Sequence, residues 1–265
     1  METTAVMNKG IDVSRHNGVI DWAKVKADGV KFVMIRAGYG AGNIDDKFER
    51  NIKECNRLGI PCGVYWFSYA LNTEMAKKEA QYCLKAVKPY KLEYPIAFDL
   101  EYDTVDYAAK QGVTITKKLA TELVRAFCGE IEKAEYFVVN YANPDYLKRY
   151  FDDSLMQKYG LWLAAWNDYK YDEPPYKCYM WQYSAKGKVN GISGDVDMNR
   201  GYIDFPKIIR EAGLNGLKKE PEKKWYQDAL DWGIENGITD GKNPEEPATR
   251  AQVIVMLKRF RDKFI

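Results

Sequence analysis

Short apolar runs alternate with helical patterns along most of this chain, and that alternation limits the fold more than any single residue does. Strand-like runs at residues 10–14, 31–37, 63–69 and 94–101 are interleaved with helical patterns at 22–27, 46–58, 74–87 and 116–133. Runs apolar on both faces read as buried strands, and their alternation with helices predicts βα units built on a parallel sheet. Further strand-like runs at 136–141, 161–166, 179–184 and 196–199 continue the pattern. The segments between the last of them are too short and too rich in Gly and Pro for full helices. The expected fold class is therefore α/β: an irregular (β/α) TIM-like barrel with incomplete outer helices.

The pattern breaks at Gly213, so residues 1–213 are expected to form the barrel, 214–224 a polar linker and 225–265 a small helical unit. Trp225, Ala229 and Trp232 recur at helix spacing, as do Val253, Met256, Leu257 and Phe260. Thr249-Arg-Ala-Gln252 has the form of a capping box, in which Thr249 and Gln252 satisfy each other's orphan donors. A unit of roughly 40 residues rarely folds without a metal, a disulfide or a partner, so it is expected to dock on the barrel or on a second copy.

A barrel of this kind carries its active site at the C-terminal ends of its strands. Asp12 falls near the end of the first run, Asp99 and Glu101 end the fourth, and Asp197 sits in the last, which closes beside the first. Four carboxylates from distant positions are thus expected at one mouth. Asp99 and Glu101 are spaced to share one side of a strand. Like charges held side by side favour protonation of one partner, and a protonated acid beside an ionised one is what glycosidic-bond cleavage requires. Arg36, near the end of the second strand, is a potential ion partner for part of this cluster.

Composition narrows the classes. With 40 Lys+Arg against 38 Asp+Glu the net charge is +2, which argues against a dedicated nucleic-acid binder. The first ten residues lack the charged start and apolar stretch of a signal peptide, and no run is long enough to span a bilayer. The chain is therefore expected to be made in the cytoplasm without an export signal and to have no membrane partner. Its 5 cysteines are odd in number, lack CxxC spacing and lie in apolar surroundings, which reads as buried free thiols. The lone histidine, His16, cannot supply a multi-histidine metal site, and no cofactor is implied. Among 20 Tyr and 7 Trp, those near strand ends are candidates for stacking on sugar rings: Tyr39, Tyr65, Phe67, Tyr69, Tyr141, Trp166 and Trp181.

Four segments carry a family likeness. Lys9-Gly-Ile-Asp-Val-Ser-Arg-His-Asn-Gly18, Asp99-Leu-Glu101, Met180-Trp-Gln-Tyr183 and Asp195-Val-Asp-Met-Asn199 resemble, in order and spacing, glycoside hydrolase family 25, the Chalaropsis-type lysozymes. The resemblance implies an N-acetylmuramidase acting on peptidoglycan glycan strands at the β-1,4 bond from N-acetylmuramic acid to N-acetylglucosamine. It implies Glu101 as general acid, with Asp99, Asp12 and Asp197 as the other acidic residues of the pocket. Where many members have Tyr-His-Phe, this chain has Tyr65-Trp-Phe67, a departure on the sugar-contacting side.

Together with the missing export signal, this reads as a phage or prophage endolysin for a Gram-positive wall. An inactive wall-binding barrel and a metal-dependent hydrolase using the acidic mouth are the competing classes. Whether the reaction retains, inverts or uses the substrate's acetamido group turns on carboxyl separation, roughly 5 to 5.5 Å against about 6.5 to 9.5 Å. In the terminal unit, Trp225 to Trp232, Gly237-Ile-Thr-Asp-Gly241 and Thr249 to Gln252 resemble a single S-layer-homology repeat, with Gln252 in place of the usual Glu. That resemblance implies attachment to a secondary cell-wall polymer or self-association through residues 225–265.

Overall fold

A computed structural model describes residues 8–166, 173–219 and 224–265. Residues 1–7 of the expected barrel and 220–223 of the expected linker lie outside them. The strands are β1 (Asn8–Val13), β2 (Phe32–Tyr39), β3 (Asn43–Ile44), β4 (Cys62–Phe67), β5 (Ile96–Asp99), β6 (Val138–Ala142), β7 (Leu161–Ala164), β8 (Met180–Gly187) and β9 (Val196–Gly201). Their order is β1-β9-β8-β7-β6-β5-β4-β2-β3, and a further pairing of β1 with β2 closes eight of them into a barrel. The two-residue β3 is a hairpin appended to β2.

The helices of the barrel unit are α1 (Trp22–Ala27), α2 (Phe48–Leu58), α3 (Thr73–Val87), α4 (Tyr102–Lys110), α5 (Lys117–Lys133), α6 (Pro144–Arg149), α7 (Asp153–Tyr159) and α8 (Phe205–Ala212). No helix among the described residues is long and apolar enough to cross a membrane. The irregular α/β barrel expected from the alternation is present. One premise needs correcting: β9 runs antiparallel to both β8 and β1, so its first residues, not its last, face the end where the parallel strands finish. Asp197 reaches that end because it is the second residue of its strand.

Strand alternation divides the apolar side chains into two layers. Ile11, Val33, Ile35, Val64, Trp66, Ile96 and Phe98 face outward to the helices. Phe32, Met34, Ala97, Val139, Trp162 and Met180 fill the barrel interior, where Phe32 stacks on Tyr94 at 4.5 Å and Phe205 of α8 closes the base. Gly10 is small by necessity, since a Cβ there would lie 2.2 Å from the Phe32 ring. All five cysteines are free and buried.

The segment expected as a linker begins inside the barrel unit, which ends at Lys219. Leu214 and Leu217 pack against the interior cluster. Asn215 is buried, accepts from the Phe137 amide at 2.7 Å and donates to the Leu92 and Tyr94 carbonyls, each at 3.1 Å. A polar side chain that satisfies three backbone groups looks like linker composition in the sequence but acts as a clamp in the fold.

The second unit spans Glu220–Ile265. It contains α9 (Gln227–Glu235) and α10 (Arg250–Phe264), the latter opened by the expected Thr249/Gln252 capping box. Trp232 stacks on Phe264 at 5.6 Å. Among its described residues only Gly233 is buried within a helix, while Trp225, Ile254, Leu257 and Ile265 remain exposed.

Candidate active site

β5 stops at Asp99, and the chain stays extended through Leu100 to Glu101 (φ −129, ψ −174), which caps α4. Alternation therefore persists past the strand: Leu100 is buried outward, and Asp99 and Glu101 both line the cavity. The Glu101 amide donates to Thr104 Oγ1 at 3.2 Å, which fixes the backbone that carries the carboxyl. Asp12 comes from β1, directly opposite Asp197 of β9 in the strand pairing. All four acids line one cavity of ≈ 390 Å³, with Ser14, His16, Arg36, Tyr65, Tyr141, Trp162, Trp166 and Gln182 on its walls.

Two amides organise this floor. Gln182 Nε2 and Asn199 Nδ2 both donate to Asp12 Oδ2, at 2.9 and 2.7 Å. Gln182 Oε1 accepts from Tyr141 Oη at 3.0 Å and from Trp166 Nε1 at 2.8 Å, and Asn199 Oδ1 accepts from Trp162 Nε1 at 2.7 Å. Asp12 is thereby locked in place together with three aromatic rings. Asp99 differs: its Oδ1 is buried and has no hydrogen-bond partner among the described residues. A buried acceptor left open is costly unless a ligand completes it.

Burial pushes all four carboxyls up. For Asp99 the burial effect is reinforced by Glu101 and Asp12, and for Asp12 by Asp197, although the Gln182 and Asn199 donors oppose it. Glu101 is raised to about 7 and Asp197 to about 6, in each case chiefly by burial. Asp99 and Glu101 are close enough that the ionisation of each depends on the other. The more deeply buried Asp99 is the harder of the two to ionise. The difference follows from depth. Arg36 does little to offset it, because Asp45 takes its guanidinium at 2.8 Å from Nε and 2.7 Å from Nη2. That ion pair is structural: Asp45 also accepts from the Arg15 and Lys47 amides.

The sequence model of the glycosyl hydrolases family 25 matches residues 11–192, which include Asp12 of β1, the Asp99/Glu101 segment and Gln182. The chain belongs to that family. It is 27% identical over 205 residues to Lysozyme M1 of Streptomyces globisporus, covering 72% of this chain and 67% of that one. The modular autolysin LytC from Streptococcus pneumoniae, solved in complex with a synthetic peptidoglycan ligand, is similar in structure, with a TM-score of 0.66 and 32% identity. That match covers 74% of this chain but 47% of LytC, so the chain spans about half of that protein's length. A family 25 glycosyl hydrolase from Bacillus anthracis has a TM-score of 0.63 at 26% identity, covering 76% of this chain and 92% of that one.

In this family 25 barrel the aromatic candidates separate by strand phase. Tyr65, Phe67, Tyr141 and Trp166 line the cavity, and Trp166 is 61% exposed at its edge. Trp181 does not line it: at 2% exposed it faces outward, donates to the Ala165 carbonyl at 3.0 Å and packs on Tyr183. Its neighbour Gln182 takes the inward position, since adjacent strand residues face opposite ways. Tyr69 also stands off the cavity, against Phe67, Tyr39 and Tyr107. Sequence reading missed Gln182, Asn199 and Trp162 as site residues. The available signal was their phase: Gln182 is two residues beyond Met180, and Asn199 is two beyond Asp197.

Proposed function

We propose that this family 25 protein is an N-acetylmuramidase that cleaves the β-1,4 bond between N-acetylmuramic acid and N-acetylglucosamine in peptidoglycan. The observation that carries this reading is the convergence of Asp12, Asp99, Glu101 and Asp197 on one cavity, with Glu101 raised to about 7. A carboxylic acid that keeps its proton near neutral pH can protonate the departing glycosidic oxygen. Glu101 sits nearer solvent than Asp99, and an extended glycan reaches it first. With Asp99 ionised beside the anomeric carbon and the proton on Glu101, Glu101 gives that proton to the departing glycosidic oxygen as positive charge develops on the sugar, and the Asp99 carboxylate stabilises that charge. The open Asp99 Oδ1 is an acceptor suited to a substrate acetamido N–H. That contact would hold the acetamido oxygen over the anomeric carbon and favour retention through the substrate's own group.

The exposed Trp166 ring and the inner Tyr65, Phe67 and Tyr141 supply apolar faces for sugar rings. We assign the biological setting as lysis of a Gram-positive wall by a phage- or prophage-derived enzyme. The second unit is proposed as an S-layer-homology-like module that either holds a secondary wall polymer or associates with its own copy. Its unburied Trp225, Ile254, Leu257 and Ile265 support a docking role. The direct test is Glu101→Gln assayed by reducing-end release from purified walls. A fall in turnover of about 10² to 10⁴ is expected for loss of a general acid, and undiminished lysis would remove Glu101 from that role.

A further inference from the structure

We propose that Glu79 of α3 is a positioning residue for the Asp99/Glu101 pair, acting through Ser68 and Thr104. The inference rests on the hydrolase reading above. Glu79 lies on the face of α3 that also buries Ala76, Ala80 and Cys83, where an apolar residue would serve packing alone. Its carboxyl is instead tied to the segment that follows β4. Oε2 and Ser68 Oγ are 2.6 Å apart, and Oε1 accepts from the Tyr69 amide at 2.8 Å. Burying a carboxyl in a helix-to-sheet layer is unfavourable, and here burial raises its pKa to about 7.

Ser68 is the junction that gives those bonds a consequence. Its amide donates to the Asp99 carbonyl at 2.7 Å. Its own carbonyl accepts from Thr104 Oγ1 at 2.6 Å, and the same Thr104 Oγ1 accepts the Glu101 amide at 3.2 Å. One buried serine thus grips the backbone on both sides of Leu100, and Glu79 fixes that serine. Ser68 and Thr104 are fully buried and Glu79 nearly so, so the links of this chain are shielded from bulk solvent. Glu79 itself does not line the cavity. Removing it should displace the acid pair while leaving the aromatic walls of the cavity in place, and displacements of the order of 1 Å cost up to ~10²-fold in rate.

The test is a double-mutant cycle on the full chain, reading kcat and KM for reducing-end release together with Tm. Glu79→Ala and Thr104→Val should each lower kcat roughly tenfold with KM held within about twofold, and the double variant should be no worse than the poorer single one. Glu79→Gln, which can accept from Tyr69 and bond Ser68, should recover most of the lost turnover. If Glu79→Ala is unfolded at the assay temperature, Ser68→Ala, which removes only the hydroxyl Glu79 holds, takes its place in the cycle. Losses that multiply in the double variant, a folded Glu79→Ala with parental kcat, or a Glu79→Gln as slow as Glu79→Ala would each overturn the positioning role. A parent chain that releases no reducing ends overturns the hydrolase reading and this inference with it, whereas an active parent matched by its variants overturns this inference alone.

Discussion

Gln182 donates to Asp12 at 2.9 Å from one atom of its amide, and the other atom accepts from both Tyr141 and Trp166. One uncharged side chain thus ties a buried acid of the pocket to two rings of its wall. Gln182→Leu keeps the volume and removes every one of these bonds. Leaving Asp12 a donor short and the Tyr141 hydroxyl unpaired should cost about 1–3 kcal/mol of stability, measured by denaturant unfolding. A loss below about 0.5 kcal/mol, the range of ordinary surface changes, would show that the amide is not a structural hub.

Trp166 and Trp181 are expected to give opposite phenotypes although both fall within strand-like runs. Trp166→Ala should raise KM by about two- to tenfold, the worth of one aromatic contact, and leave stability within about 0.5 kcal/mol. Trp181→Ala should cost about 3–5 kcal/mol of stability through the cavity it leaves. Parallel measurement of KM and unfolding free energy separates them, and the reverse pattern would contradict the assignment of faces.

Much of this was legible because it depends on pattern. The strand runs follow a period set by backbone geometry, and the four acids stand out because carboxylates at the ends of apolar strands are conspicuous. Gln182, Asn199 and Trp162 were not legible, since an amide or indole on a strand has the same composition whether it faces the cavity or the helices. Only strand phase decides, and β8 has irregular register from Gln182 onward. The start of the linker was misread for a related reason: Asn215 is polar in sequence yet buried by its three backbone bonds.

Stability should fall as pH rises from about 5 to 8. Glu101 and Glu79, each raised to about 7, and Asp197, raised to about 6, hold protons in the native state that the unfolded chain has already released. Their stabilising contribution is complete below the unfolded carboxyl values near 4 and is lost as pH passes through 6 to 7. Tm should therefore be several degrees lower at pH 8 than at pH 5, and Glu101→Gln, which has no proton to lose, should flatten the slope. A Tm that climbs across this interval would mean that these carboxyls are not held protonated.

Self-association through the second unit should be sensitive to charge on α10. Leu257 is exposed there beside Ile254 and Phe260, with no core of its own to enter. Sedimentation of the full chain should show a concentration-dependent oligomer that Leu257→Asp abolishes while the circular dichroism of the barrel is kept. A parent chain that stays monomeric at high micromolar concentration would leave polymer binding as the role of this unit.

The most direct test of the muramidase assignment is mass spectrometry of the fragments released from purified Gram-positive peptidoglycan, reduced with borohydride before analysis. The proposed muramidase activity, with Glu101 as proton donor, requires new reducing ends at N-acetylmuramic acid, absent from the Glu101→Gln digest. Reducing ends at N-acetylglucosamine, or intact glycan strands with severed stem peptides, would contradict it.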